Sequence, residues 1–301
     1  MLVAQLASVL GVKVTPEAGN RDISWLLTDS RSLVFPESSL FFALKSDRND
    51  GHRYIGDLYQ KGVRAFVVSD VPDTSPFPGA VFLKVTDALG ALQQLAAVHR
   101  SRFSIPVVAI TGSNGKTIVK EWMYQLLSPD FRIVRSPRSY NSQIGVALSV
   151  WQLQSATGLA IFEAGISMPG EMARLQRMIK PDTGIFTTLS DAHQENFSSQ
   201  REKLHEKFRL FRECSTVLYC SDHTLVDEEI HRAGLPARLI SWGRGENATV
   251  RILEVTSSTI TRVILRYEAI TYTLEIPFSD PASIENALHC VVYMVLLGYS
   301  D

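Results

Sequence analysis

The sequence predicts two α/β domains in tandem. A small one covers residues 1–104, and a larger one covers 105–301, with a mainly parallel sheet flanked by helices and then an antiparallel β meander. Three observations predict this. Short apolar runs alternate with helical patterns, a polar-leaning joint at Ser101-Arg102-Phe103-Ser104 interrupts them, and from about Thr249 the apolar period changes to two. A chain of 301 residues is long enough for about two domains, and 45% hydrophobic content supplies their cores.

In the first domain "SLFFAL", "AFVVSD" and "VFLKV" read as strands, and in "TDALGALQQLAAVHR" Leu89, Leu92, Ala96 and His99 recur at helical spacing. In the second, "VVAIT" (107–111), "LAIFEAG" (159–165) and "GIFTTLS" (184–190) read as buried strands separated by helical segments. That is the pattern of a parallel sheet with crossover helices, whose ligands lie at the carboxyl ends of the strands. "TVRILEV", "TITRVILRY" and "ITYTLEI" then alternate with period two, as an antiparallel meander does. A final helix is predicted from Asp280-Pro281, an N-cap and a first-turn proline, to about Leu297 before Gly298.

Thirty basic residues against 31 acidic ones leave a formal charge of −1, so no overall field draws the chain to nucleic acid or to an anionic membrane. Any anion must be held locally. Cys214, Cys220 and Cys290 are odd in number and lack C-x-x-C spacing, which argues against a disulfide framework or a zinc site and fits a reducing cytoplasm. The first residues, "MLVAQLASVLGVKV", carry no charged leader, and "CVVYMVLL" is too short to span a bilayer. A cytoplasmic protein without membrane or nucleic-acid partners is the expectation.

The chemistry concentrates in "VVAITGSNGKTIVKEW". Ile110 stands where the pattern G-x-x-x-x-G-K-[ST] requires glycine, so the stretch is a damaged nucleotide site, a chance match or a shorter variant. As a phosphate loop, the backbone amides of Gly112, Ser113, Asn114, Gly115 and Lys116 would face phosphate oxygens at a helix N-terminus. Lys116 would add a point charge and Thr117 a hydroxyl ligand for magnesium. The alternative is an ordinary glycine turn. Glu163 ends an apolar strand, where it is either a water-facing carboxylate or an oxygen ligand for magnesium opposite Thr117. His193 follows the third strand and is either polar surface or a group at the same rim. In "QREKLHEKFRLF" the stripe Leu204, Phe208, Phe211 must face the core, and Lys207 falls on it. Its ammonium either snorkels to the edge or is buried with a depressed pKa, in which case the neutral amine is able to add carbon dioxide as a carbamate.

Together these residues resemble the Mur ligases, ATP-dependent amide-forming enzymes of bacterial cell-wall precursor synthesis. The resemblance is carried in family order by "TDSR" (28–31), "LFFALKSDRNDGHRYI" (40–55), "TGSNGKTIVKEW", "YNSQIGVALS" (140–149), "FEAGISMPGEMARL" (162–175), "AHQENFSSQREKLHEK" (192–207) and "ENAL" (285–288). The family's loop resembles the shorter T-G-x-x-G-K-T, so Ile110 is no defect. The resemblance implies an ATP-binding central domain, and an N-terminal domain for a UDP-sugar. Substrates are expected to be UDP-N-acetylmuramoyl-tripeptide and D-alanyl-D-alanine. It implies that Lys116, His193 and Lys207 serve catalysis, that Thr117, Glu163, His193 and carbamylated Lys207 serve two magnesium sites, and that Asn286 touches adenine. Ser30, Arg31 and Asn141 would contact the UDP-substrate.

Several positions depart from the family pattern. Ile118 follows Thr117 where a hydroxyl is usual, Ser142 and Gln143 replace an amide and a carboxylate, and Phe208 and Arg209 replace glycine and glutamate. The family's third domain would begin after Gly298. The chain by itself is therefore expected to bind nucleotide weakly and turn over little, as a fragment of a longer enzyme; some relatives also carry an alanine-racemase-like domain. A folylpolyglutamate synthetase-like ligase and a non-catalytic module binding a UDP-precursor or partner are the competing readings.

Overall fold

Strands that are apolar on both faces must be covered on both, and helical crossovers are what cover a parallel sheet. The structure, a computed structural model, describes residues 1–190 and 196–299 and divides into two units, Met1–Arg102 and Phe103–Asp301. The first unit holds α1 (Val3–Val9), α2 (Pro16–Gly19), β1 (Trp25–Leu27), β2 (Ser39–Phe42) and a short ribbon of β3 (Lys45–Ser46) with β4 (Asn49–Asp50). It continues with α3 (Ile55–Gln60), β5 (Ala65–Val68), β6 (Val81–Lys84) and α4 (Ala88–Arg100). β1, β2, β5 and β6 are neighbours in that order and all parallel. Every residue of β2 and β5 is buried, and Leu27, Phe41, Leu58, Phe66 and Val68 form part of the core. Asp87 starts α4 by accepting the Leu89 amide at 3.0 Å, and the helix buries Leu92, Leu95, Ala96 and His99.

The second unit runs β7 (Val107–Thr111), α5 (Lys116–Leu127), β8 (Ile133–Arg135), α6 (Gln143–Val150), β9 (Leu159–Glu163), α7 (Glu171–Ile179), β10 (Thr183–Phe186) and α8 (Gln200–Phe208). Then come β11 (Thr216–Cys220), α9 (Thr224–Arg232), β12 (Arg238–Gly243), β13 (Val250–Ser257), β14 (Thr261–Tyr267), β15 (Ile270–Ile276) and α10 (Pro281–Leu296). One sheet takes all nine strands in the order β15-β14-β13-β12-β11-β10-β7-β9-β8. The chain lays β8 and β9 on one side of β7 and β10 onward on the other. The carboxyl end of β7 is therefore the switch point at which such sheets open a crevice.

The antiparallel meander read from the sequence is present as β13, β14 and β15. β13 also pairs in parallel with β12, through Trp242↔Val250 and Gly243↔Arg251, so the meander extends the parallel sheet. β8, β11 and β12 also join the sheet beyond the three strands read from the sequence. α5 and α10 cover one face, packing Val119, Met123, Leu288 and Val292 against Val108, Ile110 and Ile185. α10 starts as expected, with Pro281 in its first turn and the Asp280 carboxylate accepting the Ser283 amide at 2.8 Å.

Candidate functional site

β7 ends at Thr111, and the next residues turn only because two of them are glycines. Gly112 has φ +146° and Gly115 φ +82°. A Cβ at Gly112 would sit 2.0 Å from Thr187 Oγ1, and one at Gly115 would sit 2.3 Å from Asn286 Oδ1. The turn is thus pressed between the end of β10 and α10, so Asn286 stands at its edge. Ser113 N donates to Thr188 O at 2.6 Å, Thr187 Oγ1 donates to Asn114 O at 2.6 Å, and Asn114 Nδ2 donates to Ser190 Oγ at 3.2 Å. These bonds fix the loop before any ligand arrives. α5 begins at Lys116, directly after the loop and with no side-chain cap, and the first amides of a helix lack intrahelical acceptors.

Three lysines converge on this loop. Lys116 Nζ donates to Gly112 O at 2.9 Å and to Ser113 O at 3.0 Å. Lys207 Nζ donates to the same Gly112 O at 3.0 Å, and Lys203 Nζ donates to Ser190 O at 2.6 Å. Lys207 does not snorkel: it is 3% exposed, on the stripe that also buries Leu204 and Phe208. Burial, followed by repulsion from Lys116 and Lys203, pulls its pKa down to about 7. Burial also lowers that of Lys116, with Lys203 adding to the fall and Glu163 opposing it. Such a concentration of positive charge suits a polyphosphate.

Across the crevice, Thr117 Oγ1 donates to Glu163 Oε2 at 3.0 Å, and Glu163 is fully buried at the end of β9. A hydroxyl and a carboxylate oxygen at this separation form a hard-donor pair that fits magnesium. His193 lies outside the described residues. Among those described, no group of three or more His, Cys, Asp or Glu is placed to hold a metal ion. Asn141 lies beside β9: its backbone carbonyl accepts the Gly165 amide at 2.9 Å. Ser30 and Arg31 occupy a single turn in the first unit. The Arg31 guanidinium is 87% exposed and paired with Asp29 at 2.6 Å, and the Asp29 carboxylate also accepts the Arg31 amide.

The departures from the pattern have local reasons. Ser142 caps α6 by accepting the Gly145 amide at 3.2 Å, and Gln143 Nε2 donates to Glu171 O at 3.1 Å. Phe208 packs edge-on against Phe186 at 5.4 Å, and Arg209 pairs with Glu206 at 3.2 Å. Glu206 in turn accepts the Gly170 and Met172 amides at 2.8 and 3.1 Å, pinning the start of α7 to α8. Ile118 is exposed.

Sequence reasoning missed Lys203 and Lys120, both buried. The available signals were spacing alone: Lys203 is one helical turn before Lys207, and Lys120 is one turn after Lys116.

The Mur ligase middle domain matches residues 110–294. A UDP-N-acetylmuramoyl-tripeptide–D-alanyl-D-alanine ligase of Bacillus subtilis (strain 168) is 27% identical over 293 residues, covering 96% of this chain and 62% of its own length. The chain thus spans a little under two thirds of that relative. Among solved structures, MurF from Acinetobacter baumannii superposes with a TM-score of 0.87 at 23% identity, over 99% of this chain and 65% of that one. MurF ligase from Thermotoga maritima in complex with ADP gives 0.79 at 22%, over 92% and 64%.

Proposed function

The chain belongs to the Mur ligase family, and from that premise we propose that it serves the ATP-dependent joining of D-alanyl-D-alanine to UDP-N-acetylmuramoyl-tripeptide, in the cytoplasm, during peptidoglycan precursor synthesis. One observation carries this reading: after β7, a loop turned by two glycines receives the Lys116 and Lys207 ammonium groups on its Gly112 carbonyl, with Lys203 on the neighbouring Ser190 carbonyl, and leads directly into the Thr117–Glu163 pair. The Thermotoga relative holds ADP, which supports ATP as the nucleotide here. The match to the Bacillus relative runs over nearly the whole chain and supports this reading over a folate ligase.

In this reading the loop amides of Gly112 to Lys116 and the Lys116 ammonium bind the β- and γ-phosphates, and Asn286 borders the base. Lys116 moves from the Gly112 and Ser113 carbonyls to phosphate oxygens. The terminal carboxylate of the UDP-linked peptide attacks the γ-phosphorus and the bond to the β–γ bridging oxygen breaks, giving an acyl phosphate and ADP. The amine of D-alanyl-D-alanine then attacks the acyl carbon, phosphate departs, and the nitrogen loses a proton. Thr117 and Glu163 would hold magnesium, which supplies charge neutralisation on the phosphates. Lys207, once carbamylated, and His193 would serve a second such site, and Ser30, Arg31 and Asn141 the UDP-substrate.

Calorimetric titration of Mg–ADP into the chain tests the reading. Binding is expected in the wild type and lost in Lys116→Ala; a wild type that binds no Mg–ADP refutes it. The carbamate has a separate readout: ¹³C-bicarbonate should give a carbamate carbon signal that Lys207→Met abolishes.

A further inference from the structure

Lys120 is fully buried, yet nothing in the functional reading above uses it. It stands one turn after Thr117 on α5, so the two side chains share a helix face. Both reach the same carboxylate. Thr117 takes Glu163 Oε2 at 3.0 Å, while Lys120 Nζ lies 2.9 Å from Oε1, an ion pair outside hydrogen-bonding angles. Lys120 Nζ also donates to Ser136 O at 2.8 Å and to Arg138 O, and meets Glu121 Oε1 at 3.0 Å. Ser136 completes the circle, its Oγ accepting the Glu163 amide at 3.1 Å.

A buried ammonium is costly unless each proton and the charge find partners. Here the partners are two carboxylates, Glu163 and the half-buried Glu121, and two carbonyls on the stretch that leads to Asn141. Arg138 adopts φ +49°, a left-handed conformation that a side-chain-bearing residue keeps only when its surroundings enforce it.

We propose that Lys120 is a positioning residue: it fixes one oxygen of Glu163 so that the other faces Thr117 and the nucleotide's metal, and it ties the Ser136–Asn141 stretch to the phosphate-loop helix. The inference rests on the nucleotide reading above. It makes Lys120 the outer partner of a metal-facing carboxylate, a role in which mutation weakens metal affinity and leaves metal-free contacts intact.

The test is ADP titration with and without magnesium, together with amide hydrogen exchange on the nucleotide-free chain. Lys120→Met should keep its affinity for metal-free ADP within about twofold and lose about 10- to 100-fold for Mg–ADP. Glu163→Gln should show the same loss, and the double variant no further loss, because the two residues act on one ligand. Exchange across Ser136–Asn141 should accelerate in Lys120→Met. If that variant does not fold, Lys120→Gln, which keeps a donor but no charge, should show the same magnesium-specific loss.

Equal weakening of both ADP forms would mark Lys120 as a structural support of α5 and overturn the proposal, as would unchanged Mg–ADP affinity. A wild type that binds neither form sinks the nucleotide reading instead. Exchange at Ser136–Asn141 then still decides whether Lys120 holds that stretch.

Discussion

Replacing Lys207 by methionine should make the protein more stable, most of all at low pH. Lys207 is 3% exposed and its pKa falls from the ordinary 10.5 to about 7, chiefly through burial. Between those values the unfolded chain holds a proton that the folded chain has released, so wild-type stability rises with pH through the window. Below it the native state carries the whole penalty, about 3.5 pH units at 1.36 kcal/mol each, or about 5 kcal/mol; at pH 9 about 2 kcal/mol remains. Methionine loses the bond to Gly112 O, but that oxygen keeps Lys116 as a donor, so the offset is only about 1 kcal/mol. The net gain is about 4 kcal/mol at pH 6 and about 1 kcal/mol at pH 9, and the former equals roughly 8–16 °C in melting temperature for a unit of this size. Thermal melts of both proteins at the two pH values, in buffer freed of carbon dioxide, measure it. A variant no more stable than wild type at pH 6, or a gap that widens toward pH 9, would refute the reasoning.

Three further outcomes are expected. Gly115→Ala must hold φ +82° and push Asn286 Oδ1 from 2.3 Å, so it should lose nucleotide binding by calorimetry and about 1–3 kcal/mol in urea unfolding. His289 is buried, accepts from Trp242 Nε1 at 3.2 Å, and has its pKa pushed down to about 4 by burial. The unfolded chain therefore protonates first as pH falls, so wild type should lose about 2 kcal/mol more than His289→Asn between pH 7 and 5, by the same unfolding measurement. Glu206→Ala leaves the Gly170 and Met172 amides without their acceptor and should cost about 2–3 kcal/mol of stability, whereas Glu206→Gln should recover part of it.

The fold was legible where the pattern is local. The strand–glycine–lysine stretch at 107–117 announces its turn because glycine adopts those φ values without the strain a side chain would bring, and Asp280-Pro281 announces the start of α10 through capping. The sheet was read only in part. "TVLYC" and "RLISWG" carry no alternation, and whether Val250 pairs with Trp242 in parallel or begins a free hairpin is decided by burial of that pair within the whole sheet. The site divides in the same way. Thr117 and Glu163 were legible as candidates, a hydroxyl in the first turn of the helix after the loop and a carboxylate at a strand end, and the structure brings them within 3.0 Å. Lys120 and Lys203 did not, because a lysine's burial depends on distant partners: the carbonyls of Ser136 and Arg138 for one, that of Ser190 for the other.

The pressing of Gly115 against Asn286 reaches beyond ligand contact. Val119 and Cys290, next to that junction, are 171 residues apart in sequence and already joined by a weak thiol–carbonyl bond. A nascent chain leaving the ribosome therefore exposes its phosphate loop long before α10 exists to wall it in. Until that helix docks, the loop lacks one side. On the nucleotide reading proposed above, the walled form of the loop should accordingly be among the latest features this unit acquires during synthesis.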